Sequence, residues 1–210
     1  SSLEERIMTL EAGIPEEYRK EIESFAKVMA DGEEGYSENG VLSYIEVLTM
    51  QMIPDALRPT ACSALSLGGS MTATGERITM RNLEWSIGSS DQMTKIHAVT
   101  HMKKADRSLT GISMLGILDI ITAINDDGVM LAILDIGSSS SAQEGMPFVY
   151  EGKKCYTFEL RYALEEFDNA RDAGEFLVGE SGDYTWCNNI LATDKKDAFC
   201  CENATAEVQA

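Results

Sequence analysis

The stretch from Ala61 to Trp85 constrains the fold more than any other part of this 210-residue chain. It contains two short runs of apolar and β-branched residues, 61–67 and 77–85, separated by a link rich in Gly, Ser and Thr. Such runs suit β-strands, and the glycines of the link supply the backbone freedom that a turn needs. The stretch is therefore predicted to form a β-hairpin, in which the end of the second strand returns to the start of the first.

Three chemically reactive side chains are expected to meet at the open end of this hairpin. Cys62 lies near the start of the first strand, and Arg81 and Glu84 lie near the end of the second. A cation beside a thiol favours the thiolate, and a carboxylate beside the cation holds it in place. Taken singly, a small buried cysteine and a surface ion pair worth about 0–1 kcal/mol would be the more usual explanation. The spacing of all three favours a nucleophilic site.

The motifs of this hairpin resemble those that open the mature chain of cysteine N-terminal-nucleophile hydrolases. In particular they are similar to the acyl-coenzyme A:isopenicillin N acyltransferase family of autoproteolytic acyltransferases and hydrolases, which is related to bile-salt hydrolases and N-acylethanolamine acid amidase. The matching motifs are Cys62-Ser63-Ala64, Thr74-Gly75-Glu76 and Met80-Arg81-Asn82-Leu83-Glu84-Trp85. The sequence departs from the family at Ala61 and Met80, where Gly is common, and at Glu84, where Asp is usual.

The resemblance implies autoprocessing at the bond between Ala61 and Cys62. The thiol of Cys62 would attack the carbonyl of Ala61, and hydrolysis of the resulting thioester would free the α-amine of Cys62 to act as the base. An α-amine has a reference pKa of roughly 7.7–8.0, which suits this role. The expected function is that of an amidase or acyltransferase, acting through a Cys62 thioester on a linear C–N amide bond in a non-peptide or small-peptide substrate.

The resemblance also assigns roles to the neighbouring residues. Arg81 would hold the thiolate or the substrate, and Glu84 would orient Arg81 and the new amine. Asn82 and Trp85 would contribute to substrate binding. The alternatives are that Asn82 only satisfies backbone groups and that Trp85 belongs to the core and not to a wall of the pocket. Asn125 matches the Asn of a hairpin in the family, where it can polarise the carbonyl oxygen of a substrate. The alternative for Asn125 is a turn residue selected by backbone geometry, and the sequence leaves both open.

The rest of the chain predicts an α+β fold organised as one unit. The sequence Asn125-Asp126-Asp127-Gly128 is a strong hairpin signal between two apolar strands. Periodicity predicts helices at 15–30, 41–52, 154–167 and 169–178, loops at 31–40 and 138–147, and further strands at 93–102, 109–115, 118–125, 129–136, 186–193 and 197–202.

The resemblance implies a particular α+β architecture, the four-layer αββα sandwich of N-terminal-nucleophile hydrolases. We expect either that sandwich or a version that lacks its C-terminal strands. Residues 1–61 would be a helical pro-segment that folds together with the hydrolase-like domain at 62–210. The sequence does not identify a second residue for an oxyanion hole. Asn188 and Asn189 are candidates, but no motif selects either of them.

Composition bears on the partners of the protein. The formal net charge is −18 and the pI is about 4.4, so nucleic acids and anionic membranes would be repelled. No apolar run approaches the roughly 20 residues that span a bilayer. We expect a small-molecule acyl-amide substrate, no nucleic-acid or membrane partner, and a cytoplasmic location slightly more than a secreted one. A homo-oligomer is left open.

Neither a metal nor another cofactor is expected. His97 and His101 lie on one face of a predicted strand, without the His-Glu-x-x-His pattern or a third ligand. The five cysteines include no Cys-x-x-Cys pair, which makes a thiol redox protein a weak alternative. The stronger alternative is an uncleaved, zymogen-like or non-catalytic relative that uses the fold to bind a ligand. Glu84 in place of Asp favours that alternative, and the Cys62-to-Arg81 spacing favours the enzyme.

Overall fold

The computed structural model describes residues 2–29, 42–56, 61–85, 88–105, 107–135, 150–185 and 188–203, and the predicted loops at 31–40 and 138–147 lie outside them. The described chain alternates helical and extended segments, as an α+β fold requires. Its main elements are α1 (Leu3–Leu10), α2 (Glu16–Met29), α3 (Tyr44–Ala56), β1 (Ala61–Leu67), β2 (Ile78–Glu84), α4 (Gln92–Lys95), β3 (His97–Lys104), β4 (Arg107–Met114), β5 (Thr122–Asn125), β6 (Met130–Asp135), α5 (Tyr156–Glu166), α6 (Ala170–Glu180), β7 (Asn188–Thr193) and β8 (Ala198–Asn203).

The strands form two antiparallel sheets that pack face to face. Strands β1 and β2 make a two-stranded sheet, and β3 to β8 make a six-stranded sheet in the order of the sequence. Helices α5 and α6 cover one face of the six-stranded sheet, and β1 lies against β6 on the other side. Between the sheets, Thr79 Oγ1 donates a hydrogen bond to Thr193 Oγ1 at 3.4 Å. The predicted α+β sandwich is confirmed.

The outer face of the β1–β2 sheet, directed away from the large sheet, is open to solvent. Leu65, Ile78 and Met80 alternate onto this face and remain 50%, 62% and 58% exposed. Among the residues that the structure describes, no helical layer covers them. Helices α1 to α3 instead pack with one another and with α5.

The N-terminal helices share one apolar core with the rest of the chain. Ile7 and Tyr18 from α1 and α2 are fully or almost fully buried in the same cluster as Phe158 and Leu177 from α5 and α6. The rings of Tyr18 and Phe158 stack with their centroids 5.4 Å apart. Burial of large apolar and aromatic side chains stabilises the contact by about 1.5–3 kcal/mol for each side chain.

A buried carboxylate joins the end of α3 to the start of α5. Asp55 is fully buried and accepts hydrogen bonds from the Tyr156 backbone nitrogen at 2.9 Å and from Thr157 Oγ1 at 2.7 Å. The N-cap residue of α5, Cys155, makes no capping bond with its own side chain. Asp55 therefore caps α5 from a distant helix and satisfies the Tyr156 amide, which the helix leaves unpaired.

Four elements differ from the sequence-based prediction. The helix predicted at 41–52 runs from Tyr44 to Ala56 and contains Pro54. Residues 3–10, which have no clear apolar period, form α1 because Ser2 and Glu5 build a capping box. The strand predicted at 93–102 begins only at His97, after the short helix α4. The strand predicted at 118–125 begins at Thr122, since the Leu118 backbone nitrogen donates to Gln51 Oε1 instead of a sheet neighbour.

Burial of Asp119 predicts a pH-dependent stability. Its carboxyl is 2% exposed, and burial raises its pKa to about 7, against the opposing influence of Thr157 and Arg161. The folded pKa exceeds the unfolded value of about 3.9, so this contribution to stability is complete below pH 4 and is lost as pH rises to 7. Between pH 4 and pH 8 we expect the free energy of unfolding to fall by up to about 4 kcal/mol more than in Asp119→Asn, as measured by urea denaturation.

Both proteins in that comparison retain Asp55, whose pKa burial also raises, so its contribution largely cancels. Equal dependence of stability on pH in the two proteins would contradict the interpretation of Asp119.

Candidate active site

The hairpin places Cys62 and Arg81 on the same face, directed toward the large sheet. Cys62 pairs with Leu83 across the two strands, and Ala64 pairs with Arg81. Residues paired across antiparallel strands point to the same side of the sheet. As a result, Nη2 of Arg81 donates a hydrogen bond to Sγ of Cys62 at 3.0 Å.

The large sheet fixes the position of the Arg81 guanidinium. The same Nη2 atom donates to the backbone carbonyl of Ile133 in β6 at 2.9 Å. Burial lowers the pKa of Arg81, and negative charge on Cys62 and Glu84 works in the opposite direction. Because the reference pKa of arginine is so high, the group stays a cation and can stabilise an anionic sulfur.

Cys62 and Arg81 open into a narrow, mostly apolar cleft between the two sheets and the α3–α5 junction. The free volume of the cleft is about 10 Å³, which is room for about one water molecule. The walls must therefore move apart before a substrate group can lie beside the thiol. The lining residues are Pro54, Cys62, Arg81, Leu83, Glu84, Trp85, Ile121, Ile133, Asp135 and Tyr156.

Glu84 lines this cleft, but its hydrogen bonds lie on the opposite face of the hairpin from Arg81. Its Oε1 atom accepts from Ser63 Oγ at 2.8 Å and from Asn82 Nδ2 at 3.2 Å. Successive side chains in a strand alternate between faces, so positions 81 and 84 cannot point the same way. The structure thus brings Cys62 and Arg81 together, and it groups Glu84 with Asn82 at the mouth of the cleft. The catalytic role of Glu84 stays a prediction.

Asn125 is occupied by backbone contacts away from Cys62. Its Nδ2 group donates to the carbonyls of Leu164 at 3.0 Å and Phe167 at 2.9 Å, and its Oδ1 accepts from the Val129 nitrogen at 2.9 Å. Both amide hydrogens are therefore used in tying the β5–β6 turn to the end of α5. These contacts favour the interpretation of Asn125 as a turn residue over a donor to substrate.

Two polar residues in the cleft were not singled out from the sequence. Asp135 ends β6, and Tyr156 begins α5. Tyr156 donates from its hydroxyl to the Pro54 carbonyl at 2.7 Å, and burial, followed by the charge of Asp55, raises its pKa. Asp135 could have been noticed in the sequence as a lone acid at the end of an apolar strand. Tyr156 could not, because its place in the cleft depends on its contact with α3, about 100 residues earlier in the chain.

Trp85 lines the cleft next to Leu83, in the wall position that the sequence analysis gave it. Both side chains pack against a small apolar cluster that contains Met114, Ile117 and Ile121. This cluster packs the end of β2 against the end of β4 and the connection between β4 and β5.

The two histidines lie outside the cleft. His97 and His101 are exposed on β3, with Nδ1 of His101 3.1 Å from Thr110 Oγ1. Within the described ranges, no three His, Cys, Asp or Glu side chains lie close enough to hold a metal ion. Of the described helices, none has the length and apolar character needed to cross a membrane.

Comparison with known proteins supports the fold. No protein-family model matches the sequence, and no curated protein matches it. Among solved structures, the fold is similar to that of the Caenorhabditis elegans ortholog of N-acylethanolamine-hydrolyzing acid amidase, with a TM-score of 0.52 and 15% sequence identity. The match covers 65% of this chain and 56% of the nematode chain. At this identity the likeness establishes the fold.

The contact between Arg81 and Cys62 predicts the reactivity of the thiol. We expect Arg81→Leu to slow alkylation of Cys62 by iodoacetamide about tenfold, because the sulfur loses the cation that donates a hydrogen bond to it. Peptide mapping by mass spectrometry separates Cys62 from the exposed Cys200. The matched control is Arg77→Leu, which removes the arginine four residues earlier in the chain, whose guanidinium donates to Ser66 and not to Cys62. Equal rates in wild type and Arg81→Leu would show that the guanidinium does not activate the thiol.

The backbone contacts of Asn125 predict a structural rather than a catalytic role. We expect Asn125→Ala to lower the free energy of unfolding by about 1–3 kcal/mol, because it leaves buried carbonyls without donors. Asn82→Ala, at an exposed asparagine, should change stability by less than about 0.5 kcal/mol. Urea denaturation measures both. A normal stability of Asn125→Ala combined with slow processing or turnover would instead favour the catalytic interpretation.

Proposed function

We propose that this protein is a cysteine N-terminal-nucleophile amide hydrolase or acyltransferase whose nucleophile is Cys62. The observation that carries the proposal is the 3.0 Å contact between Arg81 and the Cys62 sulfur inside a cleft. The similarity of the fold to an acid amidase supports the same reaction class. The substrate would be a small acyl amide whose acyl carbonyl lies beside Sγ.

The first step of the proposed mechanism is intramolecular. The Cys62 sulfur attacks the carbonyl carbon of Ala61, an S–C bond forms, and the C–N bond to Cys62 breaks as its nitrogen takes up the thiol proton. Water then hydrolyses the thioester, which releases a carboxylate at Ala61 and restores the thiol. The new α-amine at Cys62 can accept a proton during later turnovers.

Turnover of substrate would repeat this chemistry between molecules. The Cys62 sulfur attacks the amide carbonyl, and the departing amine leaves with the proton that the α-amine received from the thiol. The acyl group then passes from sulfur to water, which gives hydrolysis, or to a second amine, which gives acyl transfer. Arg81 would stabilise the sulfur anion, and Asp135 and Glu84 place carboxylates at the cleft for orienting the amine.

The bond proposed for cleavage lies at the first residue of β1. Ala61 is paired with Glu84 across the hairpin, so the Cys62 amine would be released beside the carboxylate of Glu84 and not in free solvent. A carboxylate can accept a hydrogen bond from the neutral amine, and it stabilises the ammonium that forms when the amine takes the proton of the thiol. This proximity gives Glu84 a role that does not depend on direct contact with Arg81.

The second candidate function is a zymogen-like or non-catalytic relative that binds a ligand in the same cleft. It is favoured by the hydrogen bonds that Glu84 and Asn125 make away from the thiol. Among the described residues, Arg81 is then the one predicted catalytic residue that is hydrogen-bonded to Cys62. Either candidate function requires the walls of the cleft to move apart, because its free volume of about 10 Å³ holds about one water molecule.

Intact mass spectrometry of the purified protein tests the proposal. We expect two fragments that separate between Ala61 and Cys62, and we expect the Cys62→Ala variant to remain uncut. The new N-terminal cysteine should also condense with 2-cyanobenzothiazole, which requires a free amine next to the thiol. Cys155→Ala is the matched control, because Cys155 is a fully buried cysteine outside the cleft. A single uncut mass after prolonged incubation at pH 5 and pH 8 would favour the second candidate.

A further inference from the structure

The last strand of the six-stranded sheet, β8, has no strand neighbour on its outer side in the described part of the chain. Its backbone donors and acceptors on that side are free to pair with another strand. Phe199 and Cys201 lie on the face of β8 that α6 covers, while Ala198, Cys200 and Glu202 alternate onto the opposite face and are exposed. The edge of β8 is thus open both along its backbone and on one face.

A groove runs along this edge, between β8 and helix α6. Its free volume is about 370 Å³, so it has much more open space than the cleft beside Cys62. The helix contributes the flank that faces away from α5, because Phe176 on the other flank packs against Tyr162 of α5. The residues that line the groove are Arg171, Gly174, Glu175 and Val178 from α6 and Phe199, Cys200, Cys201 and Glu202 from β8.

Helix α6 runs in the same direction as β8. The Arg171 guanidinium lies 4.7 Å from the centre of the Phe199 ring. One turn later in the helix, a Cβ added at Gly174 would lie 2.9 Å from Sγ of Cys201. The order of these two contacts fixes which part of α6 lies beside each part of β8.

The groove flank of α6 carries one cation and one anion, one helical turn apart. The side chains of Arg171 and Glu175 are 59% and 71% exposed, with Nη1 of the arginine 3.9 Å from Oε1 of the glutamate. An exposed pair of this kind contributes about 0–1 kcal/mol, so both charges remain available to a partner. If a second copy is added across a two-fold axis near Cys200, the two α6 helices lie antiparallel. Arg171 of each copy then meets Glu175 of the other copy.

From these features we infer that the β8–α6 edge is the interface of a two-fold homodimer, in which the β8 strands of two copies pair antiparallel and continue the sheet. A two-fold interface must be self-complementary, and reciprocal pairs of Arg171 with Glu175 meet that requirement. A register centred on Cys200 also places Glu202 opposite Ala198 of the second copy, which avoids a pair of like charges across the strands.

The dimensions of the elements agree with this arrangement. Paired strands lie about 4.8 Å apart, and packed helices lie about 8–10 Å apart. Helix α6 packs on both β7 and β8, so its axis lies about one strand spacing from the two-fold axis. The two α6 helices would therefore be about 10 Å apart, which is the distance at which helices pack.

Two considerations oppose this occupant, and the structure answers both. The net charge of −18 makes two copies repel each other at long range, but physiological salt screens exposed charges that are more than about 8 Å apart. A single extended peptide would also pair with the edge of β8. Such a peptide lacks a helix beside α6, so it would leave Arg171 and Glu175 without the reciprocal partners that a second copy supplies.

Charge reversal on α6 tests this inference, with sedimentation velocity at physiological salt as the measurement. We expect the wild type to dimerise, and Arg171→Glu or Glu175→Arg alone to raise the dissociation constant of the dimer about tenfold, because like charges then meet twice. The double variant with both changes restores opposite charges and should dimerise as the wild type does. The matched control is Lys20→Glu, which reverses the exposed cation of the pair with Glu16 on α2 and should leave the dimer intact.

Cross-linking tests the position of the two-fold axis. Cys200 is exposed, so a short bismaleimide should link Cys200 of one copy to Cys200 of the other in the wild type. Peptide mapping by mass spectrometry identifies the linked residues. Cys200→Ser should dimerise as the wild type does and should not give this link.

Several outcomes would overturn the inference. A monomeric wild type at all protein concentrations would mean that the edge of β8 is covered in another way or stays open. Dimers of unchanged strength in both single variants would place the interface elsewhere on the molecule. A folded double variant that does not recover the dimer, or a dimer without the link at Cys200, would contradict the proposed pairing. Circular dichroism and thermal unfolding establish that each variant is folded.

Discussion

The position of the candidate nucleophile depends on the register between β1 and β2. Because Ala64 lies opposite Arg81, the guanidinium reaches diagonally across the hairpin to Cys62, the next residue on the same face. A shift of one residue would turn either Cys62 or Arg81 to the solvent face and separate them. The large sheet reinforces this register, since the same guanidinium bonds to the Ile133 carbonyl.

The wall opposite the hairpin depends on a second, unrelated contact. Asp55 holds the start of α5, and the Tyr156 hydroxyl returns a hydrogen bond to the Pro54 carbonyl. Both Pro54 and Tyr156 line the cleft. The buried acid thus contributes to the shape of the site from the end of α3, six residues before the candidate cleavage bond. Its burial carries a cost, because a carboxylate in an apolar interior favours the neutral form.

Much of the fold, and the contact between Cys62 and Arg81 in the candidate site, could be predicted from the sequence. The hairpin, the turn at Asn125 and helices α5 and α6 follow local patterns, so sequence alone placed them; the Cys62–Arg81 contact followed from the hairpin. The position of Glu84 on the opposite face from Arg81 was not predicted, because residues that are close in sequence along a strand can point to opposite faces. Asp135 and Tyr156 were missed since only the packing of β6 and α5 against the hairpin brings them to Cys62. The extent of the second sheet was likewise beyond local patterns.

Helices α1 to α3 share one core with the later elements, and this affects whether a cleaved protein could refold. If the bond at Ala61 is cut, helices that contribute Ile7 and Tyr18 to the common core stay bound only by packing and hydrogen bonds. Unfolding of the intact chain separates segments that a covalent link returns to each other, whereas unfolding of the cut protein releases two molecules. Refolding would then depend on concentration and compete with aggregation. Such a protein would be assembled once, and its persistence afterwards would be set by how slowly it opens.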